Sequence, residues 1–258
     1  FLEGTTQVFI LKGYAGSGKT TILKGLCDYL SDADRSYSLF APTGRAAKVI
    51  REITGKEAFT VHKGIYSYSD MVEVSEGDSF YYYYRIRQNN DALKKIYIID
   101  EASMLSNAKS EGEFFRFGSG HLLSDLIFYT RIKEKEIGSK IIFVGDPCQL
   151  PPVGDNRSRA LDAEYLHGNW NLTVDETEMK EVKRQSGESG ILQTASRTRK
   201  SVSSGFFNDF DLRTNGHDIF NPSFDSFLEK WRNTTESKII IAYKNKTCLD
   251  LNLRIRQI

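Results

Sequence analysis

Four residues, Gly13, Gly18, Lys19 and Thr20, stand at the spacing GxxxxGK[ST] inside the stretch VFILKGYAGSGKTT, residues 8–21. Glycines at these positions let a backbone curl around an anion, and the exposed N–H groups of a following helix point into the curl. Lys19 is placed to reach the β- and γ-phosphates of a nucleoside triphosphate, and the Thr20 hydroxyl to ligate Mg²⁺. Gly13, Ala15, Gly16, Ser17, Gly18, Lys19, Thr20 and Thr21 are therefore the expected phosphate-binding residues. The competing reading is a glycine-rich turn with a chance lysine, and the apolar run before the loop and the helical pattern after it weigh against that. A second constellation is the pair Asp100–Glu101, which ends the apolar run KIYIID. Asp100 suits a contact with Mg²⁺, and Glu101 is placed to orient and deprotonate a water attacking the γ-phosphate. A small-molecule kinase needs no such base, so the pair favours hydrolysis; the bland alternative is a solvated loop carboxylate.

These groups need a scaffold that collects them. Val8 to Lys12, Ser36 to Ala41, Lys95 to Asp100 and Lys140 to Val144 read as strands, and the last two are apolar throughout, as central strands buried on both faces are. Between them lie helical patterns. Ile22, Leu23, Leu26 and Leu30 mark one; the segment Arg45 to Thr54, with Ala46, Val49, Ile50 and Ile53 as its inner face, marks another. Thr60–Lys63 opens a short element, a polar loop is expected over Ser110–Gly120, and a helix over about His121–Glu136. Strands alternating with helices after a phosphate loop give a parallel sheet covered on both faces, with ligands at the carboxyl ends of its strands. The phosphate loop, Asp100–Glu101 and Gln149 all fall at such ends. Met71–Val74 and Ser79–Ile86 break the rhythm as a β-hairpin insertion spanning about 66–90. Its four consecutive tyrosines could stack on bases or form an ordinary strand with one face packed. Leu172–Val182 reads as a strand or extended segment, and Ser186–Gly190 as a linker. After it come helices over Ile191–Lys200, Phe224–Trp231 and Leu249–Ile258 and a strand over Lys238–Ala242.

The bulk composition bounds the class. The 258 residues suffice for one large domain or two ordinary ones, and 40% hydrophobic with 27% charged residues fits a soluble globular chain. A formal net charge of +1 means that any nucleic-acid surface must be local. Cys27, Cys148 and Cys248 are few and far apart, which argues for a reducing compartment and against a disulfide framework or a cysteine zinc site. No apolar run is long enough to span a membrane. The absence of an initiator Met suggests part of a longer protein.

Six segments occur in a fixed order: GYAGSGKT, APTGRAAK (Ala41–Lys48), TVHK (Thr60–Lys63), IIDEASML (Ile98–Leu105), VGDPCQLPPVG (Val144–Gly154) and VKRQ (Val182–Gln185). Together they resemble helicase motifs I, Ia, Ib, II, III and IV of the superfamily-1B DNA helicases, the RecD-like and Dda-like group. The resemblance covers Gln7 to Gln185 well. Ile239–Asn245 with Leu251–Arg254 is loosely similar to part of that family's second motor domain. It implies an α/β fold: a RecA-like P-loop NTPase domain over residues 1–186, with the hairpin as a strand-separating pin, and a partial second α/β motor domain over 187–258. It implies ATP and Mg²⁺ as cofactors, with Lys19, Glu101, Gln149 and Arg184 as catalytic residues and Thr20 and Asp100 as metal ligands. Gln149 would sense the γ-phosphate, and Arg184 would stabilise transition-state charge. Pro42, Thr43 and His62 fall where the family contacts single-stranded DNA; Arg45, Lys48 and Lys63 would form a basic rim, Arg45 and Lys63 being counted with the DNA contacts.

By the same resemblance the expected function is a 5′-to-3′ ATP-dependent helicase, a monomeric motor acting on single strands and single-strand/duplex junctions. It would be a cytoplasmic, DNA-associated protein serving repair or recombination, alone or with nuclease or repair-complex subunits. Two features depart from the family pattern: no adenine-contacting glutamine segment precedes Val8, and nothing matches motifs V and VI. The alternatives are a nucleotide-dependent DNA-binding switch without unwinding and, more remotely, a phosphotransferase.

Overall fold

The computed structural model describes residues 1–77, 79–152, 155, 157–181, 189–206 and 214–256. The chain divides into two compact units, Phe1–Ser186 and Gly187–Ile258. In the first, β1 (Val8–Gly13) leads into α1 (Lys19–Asp32), and β2 (Tyr37–Ala41) into α2 (Gly44–Thr54). Then come β3 (Ala58–Thr60), the short α3 (Val61–Ile65), and the hairpin of β4 (Val72–Glu76) and β5 (Ser79–Tyr84). They are followed by β6 (Ile96–Ile99), β7 (Phe115–Phe117), α4 (Leu122–Tyr129), β8 (Lys140–Gly145), α5 (Ala163–Trp170) and β9 (Val174–Met179).

Six strands form a parallel sheet in the order β3-β2-β6-β8-β1-β9. Alternation along each strand feeds two separate cores, as a doubly covered parallel sheet requires. Val8, Ile10, Phe40, Tyr97, Ile99, Ile141 and Phe143 face α3, α4 and α5, packing with Val61, Ile65, Leu126 and Leu166. Leu11, Leu39, Ala41, Ile96, Ile98, Ile142 and Val144 face α1 and α2, against Leu23, Cys27, Leu30, Ala47 and Ile50. The parallel sheet with helices on both faces is the expected fold.

Several local expectations are corrected. The inner face of α2 is Ala47, Ile50 and Thr54, whereas Val49 and Ile53 lie one stripe over, 43% and 40% exposed. The Thr43 side chain, accepting from the Ala46 N–H, sets that phase. The helix after His121 stops at Tyr129 rather than near Glu136: Thr130 Oγ1 donates back to the Ile127 carbonyl, and Arg131 turns to φ 52°, outside helical space. The segment expected as a polar loop contains β7, which pairs with β5 to extend the hairpin into a three-stranded sheet. α5 has no counterpart in the sequence reading.

The described part of the second unit is helical: α6 (Gly190–Ser204), α7 (Phe224–Asn233) and α8 (Asn245–Arg256). Residues 238–242, expected as a strand, form none. No strand partner exists among the described residues of this unit, and Ile239 and Ile241 are 66% and 87% exposed, so neither ladder nor burial favours extension there.

Candidate functional site

The strand order lays the sequence motifs in a row along the carboxyl edge of the sheet. His62 follows β3, Pro42–Thr43 follow β2, Asp100–Glu101 follow β6, Asp146–Gln149 follow β8, and the glycine loop follows β1. Parallel pairing of Ala41 with Thr60 brings the first and second of these segments side by side. The Asp100 N–H donates to the Phe40 carbonyl at 3.0 Å, tying the end of β6 to that of β2.

The glycine loop is wound as an anion cradle. Gly16 and Gly18 hold φ 79° and 95°, in left-handed space that side chains disfavour. A Cβ on Gly13 would sit 2.7 Å from Ser17 Oγ and 3.1 Å from Lys19 Cγ, so only glycine fits there. Lys19 Nζ donates to the Gly13 and Tyr14 carbonyls at 2.8 and 3.0 Å, holding the ammonium over the loop. α1 begins at Lys19 with no acidic residue in its first turn and no side-chain cap, so the chain leaves its N-terminal dipole uncompensated. Thr20 and Thr21 occupy that same first turn. Buried Ser17 Oγ has no hydrogen-bond partner among the described residues. These features fit a bound phosphate group, which would supply acceptors for the N–H groups and for Ser17.

Opposite the loop, Asp100 is buried and accepts from the Glu101 N–H. Its carboxyl is pushed up to about 6, first by burial and then by the neighbouring Glu101 charge; Lys19 pulls it the other way. Lys19, Asp100 and Glu101 therefore share one electrostatic environment. Glu101 holds φ 51°, rare for a residue with a side chain, and its buried Oε2 has no partner among the described residues. Thr20 and Asp100 supply the hard oxygen donors that Mg²⁺ takes. Gly145 packs against this turn, since a Cβ there would lie 3.1 Å from the Ser103 N–H nitrogen and 2.9 Å from Leu161 Cδ1. Beyond it, buried Asp146 accepts from the Cys148 N–H at 3.0 Å and starts the turn that presents Gln149, whose side chain is exposed.

On the β2–β3 side, Thr43 and Thr60 cap α2 and α3, Pro42 is half-buried, and Arg45 and Lys63 are exposed. Lys63 lies over the Phe59 ring at 4.8 Å. His62 is half-buried against Tyr66 and Phe117, with ring centroids 5.6 and 5.1 Å away, and burial holds its imidazole below the usual histidine range. Arg184 lies outside the described residues, as do Val153 and Gly154 of the fifth motif stretch. The structure thus brings Lys19, Thr20, Asp100, Glu101 and Gln149 to one edge, and Pro42, Thr43, Arg45, His62 and Lys63 to the adjoining part of it. Asp125, buried beneath His62, escaped the sequence reading because nothing local marks it.

The family model of the AAA domain matches residues 3–155. The chain is 28% identical over 147 residues to the ATP-dependent RecD2 DNA helicase of Deinococcus radiodurans, covering 57% of this chain and 16% of that protein. It is 27% identical over 199 residues to the ATP-dependent DNA helicase PIF1 of Saccharomyces cerevisiae, covering 72% of this chain and 20% of that one. Among solved structures, the Pif1 helicase from Candida albicans aligns over 92% of this chain and 52% of its own, with a TM-score of 0.47 and 18% identity. The chain spans only a fraction of the curated relatives it matches.

Proposed function

Because the chain belongs to the AAA-domain family and contains a superfamily-1B helicase-like motor domain, we propose that it is the ATP-hydrolysing part of a motor that moves along single-stranded DNA in the 5′-to-3′ direction. One observation carries this reading: a phosphate cradle and a strained Glu101, whose buried Oε2 has no partner among the described residues, flank β8, while a polar and basic segment continues the same edge across β2 and β3. A nucleotide bound at one end of a rigid sheet can bias what is gripped at the other.

In this reading the loop N–H groups and Lys19 bind the β- and γ-phosphates, and Thr20 and Asp100 hold Mg²⁺, which neutralises phosphate charge when bound. Glu101 takes the proton from the attacking water. Its left-handed backbone and the lack of a partner for Oε2 among the described residues suit it to this role. Gln149, on the turn between the two, reports the γ-phosphate to the DNA side. Arg184 completes the charge stabilisation. Pro42, Thr43 and His62 contact the strand, Arg45 and Lys63 its phosphates, and the β4–β5 hairpin meets a single-strand/duplex junction. We assign residues 1–186 to the first motor domain and 187–258 to part of the second. No helix among the described residues is long and apolar enough to cross a membrane.

The test is ATP hydrolysis by the natural protein with no DNA, with duplex and with single strand, together with unwinding of forks tailed at either end. Stimulation by single strand and unwinding only of 5′-tailed forks is the expected outcome. Equal rates under all three conditions would instead favour a nucleotide-dependent switch.

A further inference from the structure

Asp125 is 2% exposed and lies on α4, outside the sequence motifs, yet three donors converge on its carboxylate. Tyr66 Oη donates to Oδ2 at 2.6 Å, the Ser119 N–H to Oδ2 at 3.0 Å, and Ser119 Oγ to Oδ1 at 2.6 Å. The two donor residues belong to different parts of the motor. Tyr66 closes α3, its N–H donating to the His62 carbonyl, and it opens the hairpin insertion through its bridge to Ile86. Ser119 follows β7 in the hairpin sheet, after Gly118, which is held at φ 47° where a Cβ would collide with the Asp125 carboxylate. The Gly118 N–H donates to Tyr84 of β5, and Tyr83 Oη donates to the Gly118 carbonyl. Above this knot the rings of His62, Tyr66 and Phe117 touch one another, and Phe117 stacks on Tyr84 with centroids 4.7 Å apart.

A buried carboxylate is costly unless its oxygens are filled, and here every donor that fills them comes from the joint between α3 and the hairpin sheet. Removing the carboxylate would leave the Tyr66 hydroxyl and both Ser119 donors without an acceptor, so the joint holds as a unit. We propose that Asp125 is a positioning residue: it locks His62 and the hairpin sheet into one rigid body, so that the single-strand contact and the strand-separating hairpin keep a fixed spacing. This rests on the reading of α3 as part of the DNA face, and it assigns a role that lies outside the six motifs.

The experiment measures binding of a dye-labelled oligothymidine by fluorescence anisotropy, alongside Mg-ATP binding and thermal melting of the same samples. Asp125→Ala removes the acceptor for all three donors and should weaken single-strand binding by about tenfold, with ATP affinity unchanged. Asp125→Asn keeps an acceptor oxygen for Tyr66 and Ser119 N–H and can donate to a rotated Ser119 hydroxyl, so it should restore binding to within about twofold. Tyr66→Phe, which leaves the fold's apolar contacts intact, should give a loss between the two. A general structural role would lower the melting temperature and ATP affinity together with DNA affinity and would sink the proposal. So would Asp125→Ala and Tyr66→Phe binding DNA as the unaltered chain does, which would leave the DNA reading of α3 standing. No binding by the unaltered chain would overturn both.

Discussion

Replacing Asp100 with asparagine should stabilise the free protein while removing its response to magnesium nucleotide. The Asp100 carboxyl is raised from 3.8 to about 6 by burial and by Glu101 beside it. A raised carboxyl binds protons more readily in the folded than in the unfolded chain, so its contribution to stability is fully present below about pH 4. That contribution is lost as pH rises through about 6 and stays lost above it. A shift of roughly two pKa units corresponds to about 3 kcal/mol at pH 7, an upper figure for a buried group. Asparagine keeps the shape without the charge, so Asp100→Asn should melt above the parent by roughly 3–10 °C at pH 7. The gap should close as pH falls towards 4. Adding Mg-ATP should raise the parent's melting temperature and leave the variant's little changed, because the charge that destabilises the free site is the one a metal uses. Scanning calorimetry across this pH range, with and without Mg-ATP, reads both effects. A variant that melts at or below the parent at pH 7, or a gap independent of pH, would refute the reasoning.

Glu101→Gln should leave Mg-ATP affinity intact and slow hydrolysis by about a hundredfold or more, followed as phosphate release from the natural protein with single strand present. Gly13→Ala places a methyl 2.7 Å from Ser17 Oγ, within the cradle itself. It should weaken nucleotide binding by roughly a hundredfold, because the loop must shift to admit the methyl and misplacements of about 1 Å cost on that order, and fluorescent-nucleotide titration would show it.

What the sequence disclosed follows from how local each signal is. β6 and β8 are legible because strands buried on both faces are apolar at every position, and the phosphate loop because its glycines, lysine and threonine act within eight residues of chain. The boundary of α4 was hidden, since it depends on Arg131 adopting left-handed space rather than on a breaker residue. β7 is three residues, FRF, set among Glu111, Glu113 and glycines, and only the edge of β5 makes it a strand. α5 buries Leu166 alone within its span, too little to make a helical pattern. The apolar run at residues 238–242 misled in the opposite direction: composition favoured a strand, but a strand exists only with a partner. Asp125 was invisible for the same reason as β7, because its chemistry comes from Tyr66, 59 residues earlier in the chain.

The central claim is that the edge formed by β1, β8 and β6 binds a nucleoside triphosphate through Lys19. Isothermal titration of Mg-ATP into the chain tests it most directly, with Lys19→Ala measured under the same conditions. One nucleotide per chain is expected, with most of that affinity lost in the variant. Identical titration curves for the two proteins would contradict it.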